Sequence, residues 1–247
     1  VFICRELPGH LGPHIARCGF ELHLLPAPGG SVESRSAGPS PADGLAVSSA
    51  EDARQTIERL GDQALDAIVV DHYALDAGWL DPLRARWTGL RSLAIDDLDD
   101  RQLGADLVLD QTRAAFAPRR YRPLCLLGGA RYALLQPAFA ALRASALARR
   151  RSAGAVRRLL VTPGMADTRG LAMCALHAAE GLALERIDVA LGQQAPSWPD
   201  LRAWAAGHPN VHLHPSTPDM ARLIHDADLA IGAGGMSIWE RCCLGLP

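Results

Sequence analysis

Three glycines follow an apolar run in Asp228-Leu-Ala-Ile-Gly-Ala-Gly-Gly-Met-Ser-Ile-Trp-Glu240, and this is the strongest local signal in the 247-residue chain. Glycine at 232, 234 and 235 lets the backbone turn sharply and lets a ligand come close to peptide N–H groups. A helix opening directly afterwards offers unpaired N–H donors and the positive end of its dipole, which suits a pyrophosphate. Ser237 adds a hydroxyl, and Glu240 is placed to accept hydrogen bonds from ribose hydroxyls. The pattern is not GxGxxG and lacks the P-loop lysine. A tight strand–helix turn with Glu240 on a solvated face is the alternative reading.

Asp71, His72 and Tyr73 directly follow the apolar run ending at Val70. Asp71 can orient His72, and Tyr73 can donate to a sugar or phosphate oxygen. Their alternative is a strand end whose side chains satisfy loop carbonyls. Asp96, Asp97, Asp99 and Asp100 raise the question of Mg²⁺, but their spacing matches no calcium loop and a capped turn accounts for them. The segment Thr162-Pro-Gly-Met-Ala-Asp167 is another post-strand loop, with Gly164 at its turn. His208, His212 and His214 cluster near one strand, where the 212/214 pair is expected to face solvent. The six cysteines, at 4, 18, 125, 174, 242 and 243, form no CxxC, which argues against structural zinc and a disulfide framework. Cys242 and Cys243 are expected to pack in the core, and a reduced, cytoplasmic compartment follows.

Elements that would position these residues alternate regularly. Strands are predicted over 1–4, 20–25, 65–70, 92–96, 106–109, 124–127, 158–162, 186–191, 211–214 and 228–232. Helices are predicted over 9–18, 50–60, 76–87, 137–150, 168–181, 197–206, 218–226 and 236–244. This rhythm implies α/β architecture with parallel sheets covered on both faces. Ser49 is the expected N-cap of the 50–60 helix, with Asp52 three residues on; Asp76, Ser197 and Thr217 are candidate caps further along. Residues 26–44 read as a long Pro/Gly/Ser-rich surface loop. Residues 149–157 read as a linker, dividing the chain into Rossmann-like domains over 1–150 and 151–247. In such folds ligands lie beyond the carboxyl ends of the strands or between domains.

Composition supports a globular chain: 49% of residues are apolar, 21% are charged and the net charge is -2. No basic field exists to attract nucleic acid, and all 25 cationic side chains are arginine. No apolar run approaches the ~18 residues of a membrane span, and no leader pattern opens the chain. The sequence starts without Met inside an apolar run and stops just after a helical pattern, so it reads as truncated at both ends.

Taken in order, Phe2-Ile-Cys-Arg-Glu-Leu-Pro-Gly-His10, Val69-Val-Asp-His-Tyr73, Ile95-Asp-Asp-Leu98, Asp106-Leu-Val-Leu-Asp-Gln111, Arg131-Tyr-Ala-Leu-Leu135, Ala230-Ile-Gly-Ala-Gly-Gly235 and Trp239-Glu-Arg-Cys-Cys-Leu-Gly-Leu-Pro247 carry a likeness that spans almost the whole chain. They resemble the UDP-2,4-diacetamido-2,4,6-trideoxy-β-L-altropyranose hydrolases of pseudaminic acid biosynthesis, a family similar in fold to the GT-B glycosyltransferases. The resemblance implies release of UDP by water attack at the anomeric carbon with inversion, without cofactor or metal, a UDP-sugar being the only partner. It assigns Asp71, His72 and Tyr73 to the sugar side, and Gly164, Gly234, Gly235, Ser237 and Glu240 to the nucleotide. Three departures stand out. The family's Gly-x-Gly-His-x-x-Arg loop, with its general-base histidine, would precede Val1, so the catalytic base is unassigned and this chain alone is expected to be inactive; His10 belongs to the next strand–helix junction. Gly-Gly-Ser-Asp reads Gly164-Met165-Ala166-Asp167. Gly-Gly-Ser-Thr reads Gly235-Met236-Ser237. A GT-B glycosyltransferase and a non-catalytic nucleotide-sugar-binding module remain the alternatives, and a fused acetyltransferase domain is left open.

Overall fold

The computed structural model describes residues 1–7, 10–27, 45, 47–112, 124–152 and 154–247. Most of the expected loop over 26–44 lies outside the described residues. Two compact units form, Val1–Ala133 and Leu134–Pro247. Both are α/β, with parallel strands alternating with helices.

The first unit runs β1 (Phe2–Arg5), α1 (Gly12–Arg17), β2 (Leu22–Leu25), α2 (Ser49–Leu60), β3 (Ala67–Val70), α3 (Ala77–Arg86), β4 (Arg91–Ile95), β5 (Leu107–Asp110) and β6 (Cys125–Gly128). β1 and β2 pair with each other, and β3 to β6 form a separate sheet in sequence order. Beneath them α2 and α3 bury Ala53, Leu60, Trp79, Leu80 and Leu83, and Ile3 of β1 packs on this cluster together with Ile68 and Val70 of β3. Full burial of a leucine such as Leu83 contributes ~1.5–3 kcal/mol. A polar staple pierces the cluster. Arg5, at the end of β1, pairs with Asp52 of α2 at 2.5 Å, and Trp79 Nε1 of α3 donates to the other oxygen of Asp52 at 2.9 Å.

α2 is capped one residue earlier than expected. Ser48, in extended conformation, accepts from the Glu51 N–H at 3.1 Å, and Ser49 is already helical. This frees Asp52 to turn inward to Arg5. Asp76 caps α3 as anticipated, accepting from the Trp79 N–H at 3.3 Å.

The second unit runs α4 (Pro137–Arg151), β7 (Arg158–Thr162), α5 (Leu171–Ala179), β8 (Arg186–Leu191), α6 (Trp198–Gly207), β9 (Val211–Pro215), α7 (Met220–Asp226), β10 (Leu229–Gly232) and α8 (Met236–Leu244). Its sheet has the order β10-β7-β8-β9. Alternate residues point to opposite faces. Leu159, Val161, Ile187, Val189 and Val211 meet α5 and α6, whereas Leu160 meets α4, α7 and α8 through Phe139, Ala146, Ile224 and Leu244.

The division between units falls ahead of α4 rather than after residue 150, because this helix packs with α7 and α8. Nor are Arg149 and Arg150 part of a solvated linker. Arg149 pairs with Asp228 at 2.5 Å, and Arg150 donates to the Ile224 carbonyl at 2.7 Å, tying the end of α4 to the α7–β10 connection. Among the described residues no helix is long and apolar enough to cross a membrane.

His214 also departs from expectation. It is only partly exposed and is engaged; its Nε2 meets Asp188 Oδ1 at 2.6 Å, and Arg186 grips the same carboxylate. Burial by itself would raise the Asp188 carboxyl, but these hydrogen bonds outweigh it and hold the group below the usual carboxylate range. Asp228 is depressed in the same way: burial opposes, and the N–H groups of Arg157 and Arg158 with the Arg149 guanidinium prevail. A carboxylate depressed in the fold stabilises it above the unfolded value, ~3.9, and that contribution disappears as pH falls through the folded value. The melting temperature of the second unit is therefore expected to fall steeply below about pH 4, and Asp188→Asn to flatten that fall. An unaltered acid limb in the variant would contradict the assignment.

Candidate active site

In the second unit β7 and β10 are adjacent and parallel, with Thr162 opposite Gly232. The two strands stay joined just past their ends, the Ala233 N–H donating to the Thr162 carbonyl at 3.0 Å, while the Gly164–Met165 turn is tied to the end of β8 by the Gly192 N–H on the Met165 carbonyl at 2.9 Å. Gly235 has φ +130°, a conformation open only to glycine, and it starts α8 with no side-chain cap. The N–H groups of Gly234, Gly235 and Ser237 have no acceptor among the described residues. α8 thus opens as an uncapped helix mouth, suited to an anionic group. The Ser237 hydroxyl turns back, donating to the Ala233 carbonyl at 3.4 Å.

Glu240 is half-buried and has no hydrogen-bond or ion-pair partner among the described residues. Burial pushes its carboxyl up, and the neighbouring Arg241 charge offsets part of that rise. A half-buried acceptor without a donor suits a pair of ligand hydroxyls. Met165 and Met236, the two departures from the family pattern, are 62% and 40% exposed, so both thioethers stand at the surface rather than filling the core.

Asp167 takes a different role from its neighbours. Its carboxylate is buried, accepts from the Leu171 N–H at 2.8 Å and receives the Ser197 hydroxyl at 2.6 Å. It braces the start of α5 against that of α6, and Ser197 is consumed by this bond instead of capping α6. Thr217 accepts from the Asp219 N–H just ahead of α7. Cys242 is exposed, against expectation, whereas Cys243 joins the cluster around Leu244. His208 stacks on Trp204, ring centroids 4.5 Å apart.

In the first unit Asp71, His72 and Tyr73 follow β3, beside the Asp96–Asp100 turn that follows β4. Tyr73 donates its hydroxyl to Asp97 at 2.8 Å. Burial, then this bond, pushes the phenol up to about 12, so it remains a neutral donor at physiological pH. His72 Nδ1 accepts from the Ala74 N–H at 3.0 Å, which places the ring proton of the neutral imidazole on Nε2. Desolvation at the strand end raises the Asp71 carboxyl; His72 opposes that rise and the Asp97 charge adds to it. The Asp96 turn is capped, Asp96 Oδ1 accepting from the Asp99 N–H at 3.2 Å. Among the described residues no group of three or more His, Cys, Asp or Glu is arranged to hold a metal ion.

Arg101 was not legible as part of this region. It pairs with Asp96 at 2.9 Å and donates to the carbonyls of His72 and Leu75, binding the two strand-end loops together. Arg241, beneath the glycine turn, also escaped the sequence reading, whereas Thr162 was read as the start of the 162–167 loop. The available signal was the tendency of helical side chains to lean toward the helix N-terminus, with a glycine making room there.

No family model matches the chain. The chain is 31% identical over 122 residues to the spore coat polysaccharide biosynthesis protein SpsG of Bacillus subtilis (strain 168), a match covering 48% of this chain and 35% of that protein. The chain thus spans about a third of the length of that relative, to which it bears a distant, partial relationship.

Proposed function

We propose that this chain belongs to a nucleotide-sugar hydrolase that releases UDP from a 2,4-diacetamido-2,4,6-trideoxy hexose in nonulosonic acid biosynthesis. The observation that carries this reading is the uncapped α8 mouth beside the end of β7, with the unpartnered Glu240 within its first two turns. The relationship to a polysaccharide biosynthesis protein supports it. In this reading the N–H groups of Gly234, Gly235 and Ser237 hold the diphosphate, with the Gly164 turn alongside. Glu240 accepts from the ribose hydroxyls. Negative charge that builds on the diphosphate as the anomeric C–O bond breaks is stabilised by N–H groups already pointing at it.

Asp71, His72 and Tyr73 act on the sugar. Tyr73 exchanges its bond to Asp97 for one to a sugar oxygen, with His72 and Asp71 flanking it. The product sugar carries the hydroxyl of the attacking water with inverted configuration. The proton from water ends in solvent, and UDP leaves with the bonding electron pair.

The deciding measurement is UDP release from UDP-2,4-diacetamido-2,4,6-trideoxy-β-L-altropyranose, with no acceptor added, by the full-length protein, alongside calorimetric titration with UDP. Release without acceptor supports hydrolysis. Release only with an acceptor alcohol identifies a glycosyltransferase. Tight UDP binding with no turnover identifies a binding module, a reading favoured by the two exposed methionines. Tyr73→Phe is expected to reduce turnover about tenfold, the worth of one hydrogen bond to the substrate, with little change in melting temperature because the Asp97 bond it loses is exposed. Equal turnover in the variant removes Tyr73 from the site.

A further inference from the structure

Between residues 229 and 247 Arg241 is the sole cationic side chain. Its position is unusual. Nε donates to the Ser237 carbonyl at 3.2 Å and Nη2 to the Ala233 carbonyl at 3.4 Å, so the guanidinium reaches back past the first turn of α8 to the positive end of the helix. Nη1 lies 2.9 Å from the point where a β-carbon on Gly232 would stand. The side chain therefore occupies room that only glycine leaves. Among the described residues no carboxylate forms an ion pair with it. A cation at a helix N-terminus opposes the dipole.

A second, independent feature lies at the same spot. Thr162, at the end of β7, is 4% exposed, and its Oγ1 has no hydrogen-bond partner among the described residues. That hydroxyl also abuts the missing β-carbon of Gly232. Among the described residues, a buried hydroxyl without a partner, a guanidinium in no ion pair and a helix start with no side-chain cap meet under one loop. An anion completes all three.

We propose that Arg241 is the positioning residue of this mouth. Its guanidinium holds the carbonyls of Ala233 and Ser237, the first of which fixes the Ala233–Gly234 peptide and turns the Gly234 N–H toward the ligand. Its charge balances the diphosphate from beneath and steadies the negative charge gained as UDP departs. The assignment rests on the nucleotide reading above and extends it: Glu240 recognises the pentose, and the adjacent Arg241 serves the phosphates alone.

Calorimetry with UDP and with uridine, each at low and high salt, tests this on the unaltered protein and on Arg241→Met, Arg241→Lys and Gly232→Ala. Loss of a charged partner predicts that Arg241→Met weakens UDP at least tenfold, leaves uridine within twofold and flattens the salt dependence. Arg241→Lys restores part of the affinity, because the charge returns without the paired donors. Gly232→Ala crowds the Thr162 hydroxyl and carbonyl as well as the guanidinium, so its effect on UDP overlaps that of Arg241→Met and is not additive with it. Unchanged UDP affinity in Arg241→Met, or equal losses for UDP and uridine, overturns the assignment. Should Arg241→Met fail to fold by near-UV circular dichroism, Arg241→Lys and Gly232→Ala decide, and full UDP affinity in both overturns it. If the unaltered protein binds no UDP, the nucleotide reading falls and this assignment falls with it. Binding that is indifferent to Arg241 removes the assignment alone.

Discussion

Asp52→Ala is expected to destabilise the first unit by about 3–5 kcal/mol, the usual consequence of stripping one partner from a buried ion pair. Arg5 and Asp52 have side chains only 5% and 8% exposed. The Arg5 guanidinium also donates to the Pro26 carbonyl at 2.7 Å and to Gln55 at 2.8 Å. Without the carboxylate, a buried cation loses its counter-charge and the Trp79 indole loses its acceptor at once. A whole domain commonly has about 5–15 kcal/mol of stability, so the loss takes a large share. It also reaches four elements, since Arg5 ends β1, Pro26 follows β2, and Asp52 and Trp79 sit on α2 and α3. Urea denaturation is the measurement. Asp52→Asn keeps an acceptor for the indole and is expected to fall between the two. A midpoint unchanged in Asp52→Ala would show that the staple contributes nothing.

Glu240→Gln is expected to weaken uridine nucleotide binding by at least tenfold, because on the proposed reading a charged acceptor for the ribose hydroxyls becomes a neutral one with a single acceptor oxygen. Stability moves the other way. The Glu240 carboxyl is raised in the fold, so its ionised form is less favoured there than in the unfolded chain, and at neutral pH the charge works against folding. The amide removes that burden. Melting temperature at pH 7 should hold or rise while affinity collapses, a combination expected of a residue kept for its ligand. Thermal scans with calorimetry on the same samples decide the matter. A parallel loss of both would recast Glu240 as a structural residue.

The architecture was legible because each parallel strand is a short apolar run and each crossover a helix-length amphipathic stretch. Each of the ten expected strands and eight expected helices has its counterpart among the described residues. Local chemistry was nearly as readable. Asp76 caps as its type and position suggested, and the Ser48/Ser49 ambiguity arises because two adjacent serines are equally good acceptors until the backbone enters the helix. What the sequence hid is chemistry across distance. Arg5 and Asp52 are 47 residues apart, and Asp188 and His214 are 26 apart. Nothing local marks either as a pair. The glycine turn at 232–235 could be found, but not that an arginine from the following helix doubles back under it.

Arg101 has a further bearing on how this protein adapts. One guanidinium clamps the loops that follow β3 and β4, so neither is released separately. On the proposed reading, adjustment to a differently shaped sugar then comes from exchanging side chains on a fixed frame, not from reshaping the frame. A lineage that changes its substrate would keep the arginine and vary what projects from positions 71 to 73 and 97.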